Sequence, residues 1–385
     1  MDVPTPQVRQ APRSSLQEEA TGLYHLLTSS KINVLLLCLP AGWACHFLNT
    51  PDVATFTLNL VALVPLAWLL GWTTEDLSLR CGAVGGGLIN ATFGNAPELI
   101  LSIIALLHGL PTVALASLLG SVLSNLLLVL GSCFFIGGML QGIGGCLLCD
   151  MAYTTSLCSA MLTAASMLAI NAASSSVGGT LYTAGARTAL CHATAILLIL
   201  LYVALLISIL WTHKLDAPDE DEENAELPTL SILGALLVLA TTTVLVTVSS
   251  EFLVDALKGL IVHAKVGEEF LGLIVLPLAS NATDHMSAVT LATKNNMNLA
   301  LGCCLGSAVQ VVMVVLPVLV LTGWAAGREV ELGMEVSFIL ITVLATLVVC
   351  HVTRLGRLDW LQGAYLISFY VLIATYYALL PHKPE

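Results

Sequence analysis

The chain has 385 residues, of which 57% are hydrophobic and 10% charged, with a mean hydropathy of +0.92. Soluble domains usually carry about 25% charged residues, so these figures exclude a globular enzyme with one anchor and identify a polytopic membrane protein. The formal net charge of −12 says little about partners, since most of it comes from a single acidic segment, and no feature points to nucleic acid or to an organic substrate.

Residues 1–30 hold Pro4, Pro6, Pro12, Ser14 and Ser15 and no apolar core. They read as a disordered tail and not as a cleavable signal peptide, so the first apolar run stays in the mature protein. About eleven apolar runs of bilayer-spanning length follow. They lie near 31–48, 54–72, 82–107, 112–138, 150–170, 188–211, 229–258, 267–293, 298–324, 334–353 and 361–380. The implied organisation is one extra helix (31–48), a first unit of five helices (54–213), an acidic linker (214–228) and a second unit of five (229–380). With the N-terminus cytoplasmic, that side receives Arg9, Arg13, Lys31, Arg80, Lys214, Lys294, Arg354 and Arg357. The opposite side receives Arg187, Lys258, Lys265, Arg328 and Lys383, and the positive-inside rule favours this orientation. The linker, with seven acidic residues in the eleven from Asp216 to Glu226, is either a solvated connection or a cytoplasmic segment that collects cations or regulates.

The two units repeat one pattern. Gly94-Asn95-Ala96-Pro97-Glu98 lies in an apolar run, and Ser280-Asn281-Ala282-Thr283-Asp284 lies in another, 186 positions later. Gly87-Leu88-Ile89 and Gly272-Leu273-Ile274 precede them; Gly120-Ser121 and Gly306-Ser307 follow, then polar residues within apolar helices, Ser124 and Asn125 in one unit and Gln310 in the other. Upstream, Thr73-Thr74-Glu75 resembles Ser249-Ser250-Glu251. An odd number of spans separates the two motifs, so the units take opposite orientations: an all-α membrane protein of two inverted five-helix repeats, with its site where the repeats meet.

A charge at mid-membrane costs roughly 2.5–3.5 kcal/mol on insertion scales. Two such charges in matching contexts, Glu98 and Asp284, point to one shared cation site. Carboxylate, amide, hydroxyl and backbone oxygens are the ligands hard cations prefer, and Mn²⁺ is compatible with the same set. Asn95 and Asn281 precede the acids by one helical turn and are placed to supply amide oxygens or to orient them. Two carboxylates in a low-dielectric site cannot both ionise cheaply; a divalent cation or protons neutralise the pair, and not both fully at once. That exclusion is what an exchanger needs. His285 follows Asp284, and since an imidazole ordinarily titrates near neutrality it is placed to assist proton transfer or to tune the site. Glu75 and Glu251 are also compatible with a structural role as first-turn acids, and Asn125 and Gln310 with interhelical hydrogen bonding. A channel usually places such residues in symmetric rings, whereas here one chain supplies two unlike copies. The Cys146-x-x-Cys149 spacing has no second pair to complete a metal site.

The stretches GGLINATFGNAPELILSIIAL and FLGLIVLPLASNATDHMSAVTLATKNNMNLALGCCLGSAVQ resemble the signature repeats of the calcium/proton exchangers of the CAX type, in the cation/calcium antiporter superfamily. The resemblance runs from about residue 54 to the C-terminus. It implies eleven transmembrane helices and antiport of cytosolic Ca²⁺, sometimes Mn²⁺ or other divalents, for protons of a vacuole-like acidic compartment. A sodium-coupled exchanger is the nearest alternative within transport. By resemblance, Glu98 and Asp284 match the central Ca²⁺-binding carboxylates, and Glu75 and Glu251 match acids lining the cation path. Asn95, Asn281, Ser124 and Gln310 match polar positions around the centre. The expected partners are Ca²⁺, protons and membrane lipid, with no resident cofactor; homo-oligomerisation is left open. One departure stands out: the family's second motif usually reads Gly-Asn-Ala-Ala-Glu-His, and here Ser280 replaces the glycine and Asp284 the glutamate.

Overall fold

The computed structural model describes residues 22–24, 26–28, 30–141, 146–147, 151–176, 183–216, 229–264, 266–328, 330, 332, 336–354 and 356–380. The expected N-terminal tail and acidic linker lie largely outside the described residues, as does Cys149. A helix α1 (Lys31–Phe47) precedes two series of helices. The first is α2 (Asp52–Ser78), α3 (Gly82–Phe93), α4 (Ala96–Leu107), α5 (Pro111–Leu140), α6 (Met151–Ser176) and α7 (Ala184–Asp216). The second is α8 (Ile232–Ala264), α9 (268–280), α10 (Ala282–Thr293), α11 (Met297–Ala325), α12 (Val336–Thr353) and α13 (Trp360–Leu379). The order of elements is the same in both: a long helix, a broken helix, a helix containing a wide turn, then two more. Among the described residues, eight helices are long and apolar enough to cross a membrane: α2, α5, α6, α7, α8, α11, α12 and α13.

The expected spans 82–107 and 267–293 are each split in two. In the first, the chain leaves helical geometry at Asn95 (φ −116°, ψ 30°), and α4 restarts with Pro97 in its first turn. Proline fits there because the first helical N–H groups have no partner in any case. The second break falls at Asn281 (φ −88°, ψ 4°). Among the described residues, three helices carry a π turn: α5 at Ser124–Val129, α9 at Leu271–Val275 and α11 at Val311–Val315. The latter two lie just before Pro277 and Pro317, whose missing N–H leaves the carbonyl four residues back without its helical donor.

Packing places the site. α5 is 94% buried along its apolar window and α11 67%, against 28% for α7 and for α13, so the wide-turn helices form the centre and the last helix of each series the periphery. α2 lies along α8, and α9 crosses α5. At that crossing a Cβ on Gly120 would meet the Leu273 carbonyl and stand 2.6 Å from Cγ of Pro277, so only glycine permits the approach. α1 covers α8: Trp43 Nε1 donates to Ser249 Oγ at 3.2 Å, and His46 stacks on Phe252 with ring centroids 4.0 Å apart. The all-helical expectation gains one addition, a short antiparallel pairing of β1 (Cys146–Leu147) with β2 (Arg357–Leu358).

Candidate cation-binding site

The two breaks carry the two central acids at helix starts. Glu98 lies in the first turn of α4 and Asp284 in the first turn of α10. Free backbone N–H groups and the helix dipole favour negative charge at such positions. Glu98 is buried and Asp284 half-buried, and they lie close enough for their charges to interact. The hydroxyl of Ser280 lies near the Glu98 carboxyl. Position 94, which corresponds to 280 in the first series, is glycine and offers no such group to Asp284. The departure of the second motif from the family pattern therefore places a hydroxyl beside the acid of the first.

The asparagines are held reciprocally. Ser307 Oγ, on α11, donates to Asn95 Oδ1 at 3.0 Å; Ser121 Oγ, on α5, donates to Asn281 Oδ1 at 3.0 Å. Each break is thus fixed by the Gly-Ser serine of the other series. The amide nitrogens differ: Asn95 Nδ2 donates to Gln310 Oε1 at 2.8 Å, whereas Asn281 Nδ2 donates to the Ser121 carbonyl at 3.2 Å. Ser307 also accepts from Asn125 Nδ2 at 2.9 Å, and its hydroxyl lies 3.4 Å from Asp284 Oδ2. Asn95, Asn125, Asp284, Ser307 and Gln310 form one network, built from both halves. The peripheral helices pack beside it: Tyr202 of α7 stands near Gln310, and Tyr370 of α13 stands near Ser124.

The remaining expected residues lie farther out. Glu75 is exposed on α2, and it and Asp284 are both near enough to Cys303 of α11 for their charges to reach that thiol. His285 is half-buried. Glu251 is not brought to the centre: its side chain is 48% exposed and pairs with His108 Nε2 at 2.6 Å. His108 Nδ1 in turn lies 3.0 Å from Lys258 Nζ. With Nδ1 accepting from the ammonium, Nε2 is left to donate to the carboxylate. His108 closes α4, so this chain ties the helix carrying Glu98 to α8. Sequence reasoning missed His108, Ser280 as a neighbour of Glu98, and Tyr202. It marked Ser121 and Ser307 only as members of the repeated Gly-Ser pairs.

The sodium/calcium exchanger protein family model matches residues 51–211 and 234–379. The vacuolar calcium ion transporter of Schizosaccharomyces pombe is 33% identical over 366 residues, covering 92% of this chain and 86% of that protein. A Ca²⁺/H⁺ antiporter of Synechocystis is 35% identical over 373 residues, covering 90% and 97%. The solved structure of native YfkE superposes with a TM-score of 0.78 at 30% identity, covering 91% of this chain and 100% of that one. Another structure of YfkE describes it as a Ca²⁺/H⁺ antiporter protein.

Proposed function

The chain belongs to the sodium/calcium exchanger protein family, and from that premise we propose that it exchanges cytosolic Ca²⁺ for protons across the membrane of a vacuole-like acidic compartment. It is a secondary active transporter of the calcium/proton exchanger type. Each broken pair, α3 with α4 and α9 with α10, counts as one crossing; with α1 and the eight long helices this makes eleven. The last ten form the two inverted units, 54–213 and 229–380.

The observation that carries this reading is the meeting of Glu98 and Asp284, one from each series, with no Lys or Arg paired to either among the described residues. Two unneutralised carboxylates are costly in an apolar interior. Ca²⁺ satisfies both at once and accepts hydroxyl and amide oxygens besides; Ser280 and Ser307 stand beside the acids to supply them. Protons satisfy the same carboxylates individually. Occupancy by one excludes full occupancy by the other, and alternating exposure to the two sides converts that exclusion into exchange. Asn95 and Asn281 hold the breaks in place, Gln310, Asn125 and Ser124 hold the asparagines and the wide turns, and Glu75 and Glu251 line the approach. His285 is placed to tune Asp284.

The test is Ca²⁺ uptake into proteoliposomes with an acidic interior, compared with a sodium-loaded interior at equal pH. Uptake that follows the pH gradient and collapses when a protonophore dissipates it is the expected result. Uptake driven by sodium alone would replace proton coupling with sodium coupling.

A further inference from the structure

α6 and α12 come from different halves of the chain and pack along one another, and two thiols meet at that seam. Cys350 Sγ lies 3.6 Å from the Cys158 carbonyl oxygen and Cys158 Sγ lies 3.5 Å from Thr353 Oγ1, so the two thiols face one another across the seam. They line a cavity of about 210 Å³ together with Met151, Thr154, Ser159 and Arg354. A water occupies about 30 Å³ of liquid volume, so a small neutral oxidant has room beside the sulfurs. The Arg354 guanidinium gives the cavity the cationic setting in which thiols react as thiolates. A second pair gives the contrast. Cys133 of α5 and Cys304 of α11 are also neighbours, but they are buried, 0% and 2% exposed.

We propose that Cys158 and Cys350 are a peroxide-oxidised dithiol that closes reversibly to a disulfide. One thiolate attacks hydrogen peroxide, the O–O bond breaks, and sulfenic acid and water result. The second thiol then attacks the sulfenic sulfur, expelling a second water and leaving the S–S bond. Two thiols and one peroxide give one disulfide and two waters: the sulfurs lose two electrons and the peroxide gains them. A dithiol reductant reverses the step. The orientation read from the basic residues puts Arg354 on the cytoplasmic side, where disulfides are transient and redox-sensing. The bond would staple the two halves together. α6 also packs on α11 and α12 on α5, so it would fix the frame around both helices that carry the reciprocal serines.

The full chain, purified in detergent, is treated with limiting hydrogen peroxide and mapped by peptide mass spectrometry without reduction. The expected result is a Cys158–Cys350 linked peptide, with Cys133 and Cys304 still free to alkylate after denaturation. Ca²⁺ uptake by the oxidised protein should fall several-fold, recover with reductant, and resist peroxide in Cys350→Ser. The linked peptide is read independently of transport, so it stands or falls apart from the assigned exchange. No linked peptide, equally fast bridging of Cys133 to Cys304, or inhibition that persists in Cys350→Ser would each overturn the proposal.

Discussion

Removing the hydroxyl of Ser121 or of Ser307 tests the reciprocal architecture, and the structure gives the two losses different sizes. Ser121→Ala takes from Asn281 Oδ1 its donor at 3.0 Å, at a position where Asn281 is 1% exposed and water is not at hand to replace it. Leaving one buried polar atom unsatisfied costs about 1–3 kcal/mol. The Asn281 bond to the Ser121 carbonyl survives, because it uses the backbone. Ser307→Ala removes a hydroxyl that serves two partners, Asn95 Oδ1 and the fully buried Asn125 Nδ2, so roughly twice that penalty applies. The assay is thermal unfolding of the purified variants. Each kcal/mol shifts the midpoint by about 2–4 °C in domains of 150–250 residues. Ser121→Ala should melt a few degrees below the unsubstituted chain, and Ser307→Ala about twice as far below. In a double-mutant cycle, Ser121→Ala with Asn281→Ala should show a coupling of about 0.5–3 kcal/mol. Additive effects in that cycle, or a Ser307→Ala midpoint no lower than that of Ser121→Ala, would refute the reasoning.

Glu98→Gln should abolish pH-driven Ca²⁺ uptake while the protein still elutes as a folded species on size exclusion; substantial exchange by that variant would be incompatible with its central role. Asp284→Glu keeps the charge and lengthens the arm by one methylene, so uptake should persist with an altered ratio of Ca²⁺ to Mn²⁺ transport, read by competition; an inactive variant would contradict this. Gly120→Ala should destabilise the protein by at least about 1–3 kcal/mol through overpacking, because its Cβ would collide with α9 at Leu273 and Pro277. Gly306→Ala, whose Cβ would meet nothing within 4 Å, should leave the thermal midpoint nearly unchanged, and equal losses in the two glycine variants would show that the crossing is not as tight as drawn.

The positions of the long helices were legible because hydropathy is additive along the chain, but 82–107 was read as one span, and Pro97 was not taken to place the break at Asn95. The pairing of Glu98 with Asp284 was legible because duplication repeats local context at a fixed offset. What escaped depends on chemistry between distant positions. His108 and Glu251 are 143 residues apart, and nothing around His108 repeats in the other half to signal their contact. Glu251 was placed among the acids of the cation path by the family resemblance and its likeness to Glu75, and neither signalled its partner at the end of α4. The Ser280 substitution was visible in the motif, but its hydroxyl lies near the carboxylate of the opposite motif, which no local reading reveals. The wide turns left only a faint trace, since Pro277 and Pro317 accompany two of them and none marks Ser124–Val129.

That unmarked turn makes the number of residues in α5 as consequential as their identity. Before Ser124 the helix faces α4 and α9; after Val129 it faces α13 and α10. An α-helix advances about 100° per residue, and the extra residue in the wide turn sets the angular offset between these two sets of neighbours. Deleting a single leucine from the Leu126–Leu128 run would leave hydropathy and every polar side chain in place. Unless the wide turn then closed to ordinary α geometry, Cys133, Phe134 and Gly137 would swing by about a quarter-turn, out of phase with the surfaces they meet. The central helix therefore behaves as two keys cut on one shaft, and the π turn fixes the angle between them.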